Sequence, residues 1–330
     1  MSASLPEIRI DPLTGLRTIV ATDRSGRPGG ELVVTPPEPI DPDEDPFAAG
    51  HEDRSPPELY ALRPRGGEPD GPGWTVRVVP NLYPALTSDP PEVPRDAKPD
   101  LFLARPARGG HELIVNAPEL VQSLAELPVE QVVAAVDVWR ERMRVHGGAA
   151  YPHLTVSERR EAGASLPHTH AQLYALDFVP ASVARERERF GAYATRTMGF
   201  NLLADVVQEE VRRRERVVAI DDEAVLICPY ASRYPFALML APRRGRPRFA
   251  DDGATGAALL HDGLRRLARR FGSSPPLNLW VRTAPRDAEQ FCWRIDIVPR
   301  LIALGGLELG TAVHVNVVAP EQAAAELRDQ

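Results

Sequence analysis

The chain has 330 residues, and 39 Lys and Arg residues against 46 Asp and Glu residues give it a formal net charge of −7. At roughly 150 residues per domain this length predicts about two domains, and the acidic balance argues against binding nucleic acid through overall charge. Two cysteines are too few for a disulfide framework, and we find neither a signal peptide nor an apolar run long enough to cross a membrane, so we expect a cytoplasmic protein.

The first half is predicted to contain strands around one helix. Residues 6–22 read as a strand pair with a turn at Asp11–Gly15, and a proline-rich stretch of loops follows. Further strands are predicted at 74–79 and 111–118. Apolar side chains then recur every three or four residues between Pro128 and His146, which predicts an amphipathic helix. The segment 153–180 reads as strand, small-residue turn and strand.

The second half repeats this order of elements. Two strands around a Pro/Ser turn, a helix ending near Phe271 and two further strands follow a charged helical connector at 181–216. We therefore predict an α+β fold made of two copies of one unit, with a mostly antiparallel sheet and packed helices. The expected domains are residues 1–180 and 181–330. The apolar stretch PFALMLAP is predicted to be either a subunit interface or core.

The motif that carries chemistry is His168-Thr169-His170-Ala171-Gln172. Side chains two apart on a strand share a face, so His168, His170 and Gln172 are predicted to project together. A neutral imidazole aimed at phosphorus is a competent nucleophile, and a glutamine can donate N–H to a phosphoryl oxygen without acting as acid or base. The small-residue turn at Gly163-Ala164-Ser165 offers backbone N–H groups to an anion.

The motif alone leaves two other interpretations open. Two histidines on a strand can be a hydrogen-bonded pair with no function. They can also share a metal ion, because histidines at this spacing lie on one face.

The motif and the segments around it resemble the galactose-1-phosphate uridylyltransferase family, the transferase branch of the histidine-triad superfamily. The resemblance covers nearly the whole chain in order. It rests on these segments: IDPLTGLRTIVATDRSGRP, VVPNLYPAL, GGHELIVNAPE, AGASLPHTHAQ, PYASRYPFALMLAPRR, WRIDIVPRL and GLELGTAVHVNVVAPEQAA. It implies a duplicated histidine-triad-like fold, in agreement with the repeat.

The resemblance also implies roles for individual residues. His170 matches the nucleophile that becomes covalently nucleotidylated, Gln172 matches the residue that binds the transferred phosphoryl group, and His168 belongs to the same motif. The implied substrate-binding residues are Arg24, Arg27, Asn81, Ser157, Gly163, Ser165 and Glu308. Ser157 stands where the family has a nucleotide-binding asparagine, which leaves the base and sugar open.

The metal sites of the family are expected to be lost. One cysteine pair is replaced by Asp45 and Ala48, a second falls at Asn201 and Ala204, and the last strand has Cys292 and Arg294 where the family has histidines. His111 and His168 match the remaining ligands of the first site, which would leave at most a weak ion. We predict no metal and no other cofactor. Arg294 is expected to meet Asp296 rather than a substrate phosphate.

The expected activity is transfer of UMP, or another nucleoside monophosphate, between a nucleotide sugar and a sugar 1-phosphate through a covalent nucleotidyl-histidine. One alternative is a nucleotide-sugar phosphorylase that uses inorganic phosphate. The other is a degenerate nucleotide-sugar-binding protein without activity. The expected partners are the nucleotide sugar and the sugar 1-phosphate, with neither nucleic acid nor membrane, and the resemblance implies a homodimer.

Overall fold

A computed structural model describes residues 5–26, 31–94, 98 and 101–330. The strands are β1 (Glu7–Ile10), β2 (Arg17–Val20), β3 (Tyr60–Leu62), β4 (Val76–Pro80), β5 (Gly109–Val115), β6 (Tyr151–Glu158), β7 (His170–Leu176), β8 (Val217–Ile220), β9 (Ala224–Ile227), β10 (Leu238–Pro242), β11 (Leu277–Arg282), β12 (Arg294–Pro299) and β13 (His314–Asn316). The helices are α1 (Val129–Val145), α2 (Ala181–Arg196), α3 (Leu202–Arg213), α4 (Ala257–Phe271), α5 (Gly306–Thr311) and α6 (Pro320–Arg328).

The large sheet has ten strands in the order β3-β4-β5-β7-β6-β11-β12-β10-β9-β8, and all its neighbours are antiparallel. From the edge inward, the first half of the sheet is β3-β4-β5-β7-β6 and the second half is β8-β9-β10-β12-β11, which is the same order. In each half the long helix, α1 or α4, comes between the third and fourth strands along the chain. The two halves meet where β6 pairs with β11. This repeat confirms the predicted α+β class and the duplicated architecture, while the domain division at residue 180 stays a prediction.

Both long helices of the repeat pack on one face of the large sheet. Trp139 of α1 and Leu264 of α4 belong to the same buried cluster as Leu173 of β7 and Ile297 of β12. Because side chains alternate along a strand, the residues between these core positions point to the opposite face. That opposite face carries the candidate site.

A second, three-stranded sheet joins distant parts of the chain. β1 and β2 form the predicted antiparallel pair, and β13 adds to β2 in parallel. The predicted turn is confirmed: Gly15 has φ +71°, and its N–H donates to the carbonyl oxygen of Asp11 at 2.8 Å. Strand β3 lies in the stretch predicted to be loop, and strands β8 and β13 and helices α5 and α6 were also outside the prediction.

The other expected elements of the second half are present. The charged connector is helical, as α2 and α3. The stretch PFALMLAP contains β10, which lies between β12 and β9 with all five residues buried, so it is core rather than a free surface. Among the described residues, no helix is both long and apolar enough to span a bilayer.

Candidate active site

β7 places His170 and Gln172 on the sheet face opposite the helices. Their register partners on β5 are Val115 and Leu113, and Ala171 between them is fully buried toward the core. β7 begins at His170, so the alternation predicted for three residues applies to His170 and Gln172 only. His168 precedes the strand and is held by other contacts.

His170 is oriented by the backbone of its own motif. Its Nδ1 lies 2.8 Å from the carbonyl oxygen of His168. A carbonyl accepts only, so Nδ1 carries the proton and Nε2 is left with its lone pair. Among the described residues Nε2 has no hydrogen-bond partner. Burial lowers the pKa of His170, which keeps the ring neutral and nucleophilic near pH 7.

The rim of Phe47 packs against this ring. The centroids of Phe47 and His170 are 5.6 Å apart in an edge arrangement, and Phe47 also contacts His168 at 6.2 Å. His170 is 5% exposed. The ring is therefore sheltered from bulk water on one side, and Nε2 is the atom available for reaction.

His168 forms a fully buried pair with Asp45. Its Nδ1 lies 2.6 Å from Asp45 Oδ2, and its Nε2 lies 2.8 Å from the carbonyl oxygen of Ala117. The Ala117 carbonyl accepts only, so Nε2 carries a proton, and Nδ1 shares a hydrogen bond with the Asp45 carboxyl group. This contact fixes the backbone carbonyl that orients His170.

The residues that match the first family metal site do not fit a structural zinc. Asp45 and His168 are bonded directly to each other, and Ala48 offers no ligand atom. His111 lies opposite Tyr174 in the sheet, near the other end of β7, so at about 3.3 Å per residue it is roughly 20 Å from His168. The weak ion at His111 and His168 that the resemblance left open does not fit this register. Within the described ranges we find no group of three or more His, Cys, Asp or Glu side chains arranged to hold a metal.

His111 instead belongs to a network around Gln172. His111 Nε2 is 3.1 Å from Gln172 Oε1, and the hydroxyl of Tyr174 donates to the same oxygen at 2.8 Å. The backbone N–H of Ala85 donates to His111 Nδ1 at 3.1 Å. Asn81 lies beside this ring, with its Nδ2 3.1 Å from His111 Nε2. The structure therefore brings Asn81 and Gln172 together through His111.

The turn before β7 has the predicted small residues at its surface. Gly163 has φ +91°, and Ser165 is exposed without a hydrogen bond from its hydroxyl among the described residues. Ser165 lines a cavity of about 790 Å³, together with Asp45 and the proline-rich residues 35–40. A cavity of this size is in the range of nucleotide and cofactor pockets.

Ser157 on β6 is held by a residue from the other half of the chain. Asn278 of β11 pairs with Ser157 in register, and its Nδ2 donates to Ser157 Oγ at 3.0 Å and to the carbonyl oxygen of Ala162 at 2.8 Å. Val156 pairs with Ala171, so Ser157 lies beside His170. His170, Ser157 and Asn278 thus follow one another across three strands on the open face.

Arg24 and Glu308 lie together, away from this row. Both line a cavity of about 470 Å³ between the 3₁₀ turn Thr22–Gly26 and helix α5, and none of its lining residues comes from β7 or the turn before it. Glu308 Oε2 accepts from the N–H of Gly305 at 2.9 Å, and backbone hydrogen bonds lower the pKa of Glu308. Arg27 lies outside the described residues. The structure thus does not bring Arg24 or Glu308 to His170 within one chain.

The duplicated half has charged residues at the positions of His170 and Gln172. Thr155 and Trp280 pair with each other at the junction; Gln172 pairs with Thr155, and Asp296 pairs with Trp280. Gln172 and Asp296 therefore occupy equivalent positions in the two halves. His170 and Arg294, each two residues earlier on its strand, are equivalent as well.

Arg294 is held in a buried cluster of charges. Its NH1 donates to Glu186 at 2.9 Å and its Nε donates to Asp296 at 3.0 Å, which confirms the expected contact with Asp296. Arg282 approaches the same Glu186 at 3.3 Å. An arginine whose donors are engaged in this way is neither a nucleophile nor a metal ligand.

The positions of the second cysteine pair have a structural role instead. Asn201 caps α3 by accepting from the N–H of Ala204 at 3.1 Å, and its Nδ2 donates to the carbonyl oxygen of Phe291 at 2.9 Å. This site likewise does not fit a metal.

Two family models together match residues 2–330. Residues 2–180 match the family model described as "Galactose-1-phosphate uridyl transferase, N-terminal domain". The chain belongs to the galactose-1-phosphate uridyl transferase family. Residues 134–330 of this family member also match a model for a domain of unknown function (DUF4921).

Similar proteins in the family carry two kinds of name. The chain is 27% identical to an ADP-glucose phosphorylase from Arabidopsis thaliana, over 98% of this chain and 93% of that protein. It is 28% identical to a galactose-1-phosphate uridylyltransferase from Cryptococcus neoformans, over 97% and 89%. A crystal structure of the Arabidopsis thaliana ADP-glucose phosphorylase with bound ADP-glucose superposes with a TM-score of 0.80 at 25% identity, over 98% and 99% of the two chains. These relatives place the chain in an enzyme family of nucleotidyltransferases and phosphorylases.

Three residues of the site were outside the sequence prediction in the roles seen here. Tyr174 stands two residues after Gln172, so strand alternation was a usable signal for it. Asp45 was considered only as a weak metal ligand, and no local pattern indicates its pairing with His168, 123 residues away. Asn278 reaches Ser157 only through the β6–β11 junction, which no local sequence pattern reports.

Proposed function

We propose that this protein transfers a nucleoside monophosphate from a nucleotide sugar through a covalent intermediate on His170. The observation that carries the proposal is the state of His170: its Nδ1 proton is held by the His168 carbonyl at 2.8 Å, and its Nε2 has no partner among the described residues. Family membership and likeness to named nucleotidyltransferases and phosphorylases support it.

The reaction follows from that geometry as two displacements. His170 Nε2 attacks the α-phosphorus of the nucleotide sugar; a P–N bond forms, the P–O bond to the second phosphate breaks, and sugar 1-phosphate leaves. An oxygen of a phosphate acceptor then attacks the same phosphorus, forming a P–O bond and breaking the P–N bond. Gln172 donates N–H to a phosphoryl oxygen in both steps and has no proton to exchange, which disfavours activation of water.

The two activities named among the relatives differ in which molecule accepts the nucleoside monophosphate. With sugar 1-phosphate as the acceptor, the protein is a uridylyltransferase-type enzyme, as the sequence led us to expect. With inorganic phosphate, it is a phosphorylase that releases a nucleoside diphosphate. We favour the phosphorylase, supported by the full-length likeness to ADP-glucose phosphorylase in both sequence and structure. The sugar 1-phosphate transferase is the second candidate, supported by the Cryptococcus neoformans relative.

The experiment is intact-mass measurement after incubation with ADP-glucose or UDP-glucose, followed by addition of an acceptor. We expect a mass increase of one nucleoside monophosphate in the native protein and none in His170→Ala. We expect inorganic phosphate to discharge the adduct faster than glucose 1-phosphate or galactose 1-phosphate. Faster discharge by a hexose 1-phosphate would establish the second candidate.

Binding without an adduct contradicts the proposal. Thermal stabilisation by a nucleotide sugar in a protein that never gains mass would identify a non-catalytic binder. His261→Ala serves as a control variant, because His261 lies on α4, on the opposite side of the sheet from His170, and its ring bonds the carbonyl oxygen of Leu127. The homodimer and the cytoplasmic location remain predictions.

A further inference from the structure

We propose that His111 and Tyr174 are positioning residues that fix the side-chain amide of Gln172 with its N–H groups toward the transferred phosphoryl group. The inference rests on the proposed function for the identity of that group. The hydrogen-bond pattern itself stands on the geometry of the three side chains. None of these contacts requires a metal.

The first step is the tautomer of His111. The backbone N–H of Ala85 lies 3.1 Å from His111 Nδ1. A backbone amide is a donor that cannot be reversed, so Nδ1 must accept. An imidazolium carries a proton on both nitrogens, so a ring whose Nδ1 accepts is neutral. A neutral ring with an accepting Nδ1 carries its single proton on Nε2.

The second step is the orientation of Gln172. The Nε2–H of His111 needs an acceptor, and the atom of Gln172 that lies 3.1 Å away must therefore be the carbonyl oxygen. Reversing the amide would set its NH₂ group against this N–H. The hydroxyl of Tyr174 donates to the same oxygen at 2.8 Å. Two donors occupy both lone pairs of Oε1.

Asn81 does not offer an alternative proton arrangement. The N–H of Tyr83 donates to Asn81 Oδ1 at 2.8 Å, so the atom facing His111 is the amide nitrogen. That nitrogen could donate to His111 Nε2 only in the tautomer that Ala85 excludes. In the tautomer that Ala85 sets, the 3.1 Å approach of Asn81 Nδ2 to His111 Nε2 is therefore not a hydrogen bond.

These contacts hold the side-chain amide of Gln172 in a single orientation. With Oε1 satisfied inside the network, among the described residues the Nε2 group of Gln172 has no partner, and its hydrogens are the groups left for a ligand. The reversed amide would present an oxygen to phosphoryl oxygens, which repel it. Fixing the orientation before the substrate arrives reduces the reorganisation needed in the transition state.

The kinetic test uses Tyr174→Phe in two backgrounds. In the native background we expect the single-turnover rate of adduct formation from ADP-glucose or UDP-glucose to fall about fivefold, the worth of one net hydrogen bond, with the dissociation constant changed by less than about twofold. In a Gln172→Ala background the same substitution should have no further effect. Equal losses in both backgrounds would overturn the inference, because a residue that acts only on stability does not need Gln172. Tyr193→Phe is the matched control, since its hydroxyl bonds Asp205 on α3.

A second measurement separates this inference from the proposed function. ¹⁵N NMR of the histidine rings in the free protein should show His111 as the Nε2–H tautomer, and Tyr174→Phe should shift the side-chain amide of Gln172. A Nδ1–H tautomer, or an unmoved Gln172 amide, overturns the inference even where the native protein forms an adduct. A native protein that forms no adduct but shows both signatures refutes the proposed function and leaves the hydrogen-bond network intact.

Discussion

Arg294 and His170 occupy equivalent positions in the two halves of the sheet, and one is an ion-paired cation while the other is a neutral ring. The duplication supplied two copies of the same strand geometry. In the first half, His170 bonds the His168 carbonyl through Nδ1, and among the described residues its Nε2 has no partner. In the second half, Arg294 bonds the carboxylates of Glu186 and Asp296. The proposed chemistry at this face is therefore restricted to the first half by the partners of a single position.

The Arg294 cluster is expected to be a structural requirement. Arg294→Leu leaves the buried Glu186 with Arg282 alone, and breaking a buried pair on one side costs about 3 kcal/mol of unfolding free energy. Urea denaturation measures this loss. The exposed pair of Arg286 and Asp287 gives the control: Arg286→Leu should change stability by less than about 0.5 kcal/mol. A loss below about 1 kcal/mol for Arg294→Leu would show that the cluster is not needed for folding.

The Asp45–His168 pair is expected to stabilise the fold by direct contact, with no bound metal ion. Asp45→Ala leaves the buried His168 ring with one hydrogen-bond partner instead of two and should lower the free energy of unfolding by about 3 kcal/mol. The exposed Asp43→Ala, two residues away, is the control and should be near neutral. Prolonged dialysis against a chelator should leave the melting temperature of the native protein unchanged. A drop on chelation would reveal a bound ion.

Glu158 predicts a specific dependence of stability on pH. Burial raises the pKa of Glu158 to about 7, although Ser123 and Leu124 donate hydrogen bonds to it at 2.7 and 2.8 Å. The folded state therefore holds this proton where the unfolded state has lost it, so its stabilisation is full below about pH 4.5 and declines as pH rises to about 7. The decline is of the order of 3 kcal/mol.

Glu158→Gln isolates this contribution. Urea denaturation between pH 5 and 8 should show that the stability of the variant relative to the native protein rises with pH and levels off above about pH 7. Taking the difference removes the opposite contributions of buried histidines. The exposed Glu119→Gln should give a flat difference. A flat difference for Glu158→Gln as well would mean that its pKa is ordinary.

Asn278 is expected to affect ligand affinity. Asn278→Ala removes two hydrogen bonds, one to Ser157 beside His170 and one to Ala162 in the turn before Gly163. Each hydrogen bond is worth about 1 kcal/mol, so we expect nucleotide-sugar binding, measured by calorimetry, to weaken roughly tenfold or more. Asn201→Ala is the matched control, because Asn201 also makes two hydrogen bonds, but at the start of α3. It should cost stability and leave affinity unchanged; equal effects of both variants on affinity would contradict the assignment.

The elements that could be predicted from the sequence are those whose conformation depends on neighbouring residues rather than on distant ones. The α1 helix was recognisable because its apolar residues recur at helical spacing, and the Asp11–Gly15 turn because its residues favour one local conformation. The other strands of the repeat were recognisable from local pattern as well, but the short edge strands β3 and β8 were missed. β13 was missed because it is three residues long and owes its conformation to β2, on the far side of the sequence.

The candidate site divides in the same way. His170 and Gln172 could be assigned because alternation along one strand sets both on one face. The motif also suggested that His168 would join them, and the strand begins too late for that. The distance between His111 and His168 could not be predicted, because it depends on the register between β5 and β7. The match of His111 and His168 to family metal ligands left a weak shared ion open, and the register places the two rings apart.

The parallel pairing of β13 with β2 has a consequence for synthesis of the protein. The strands that carry His170 and its network belong to the first 176 residues and can emerge from the ribosome while the rest is still being translated. The cavity shared by Arg24 and Glu308 must wait, since one wall is supplied by a segment near residue 24 and the other by residues beyond 300. The strands around the proposed nucleophile can thus form before residues beyond 300, which complete the second cavity, have been synthesised.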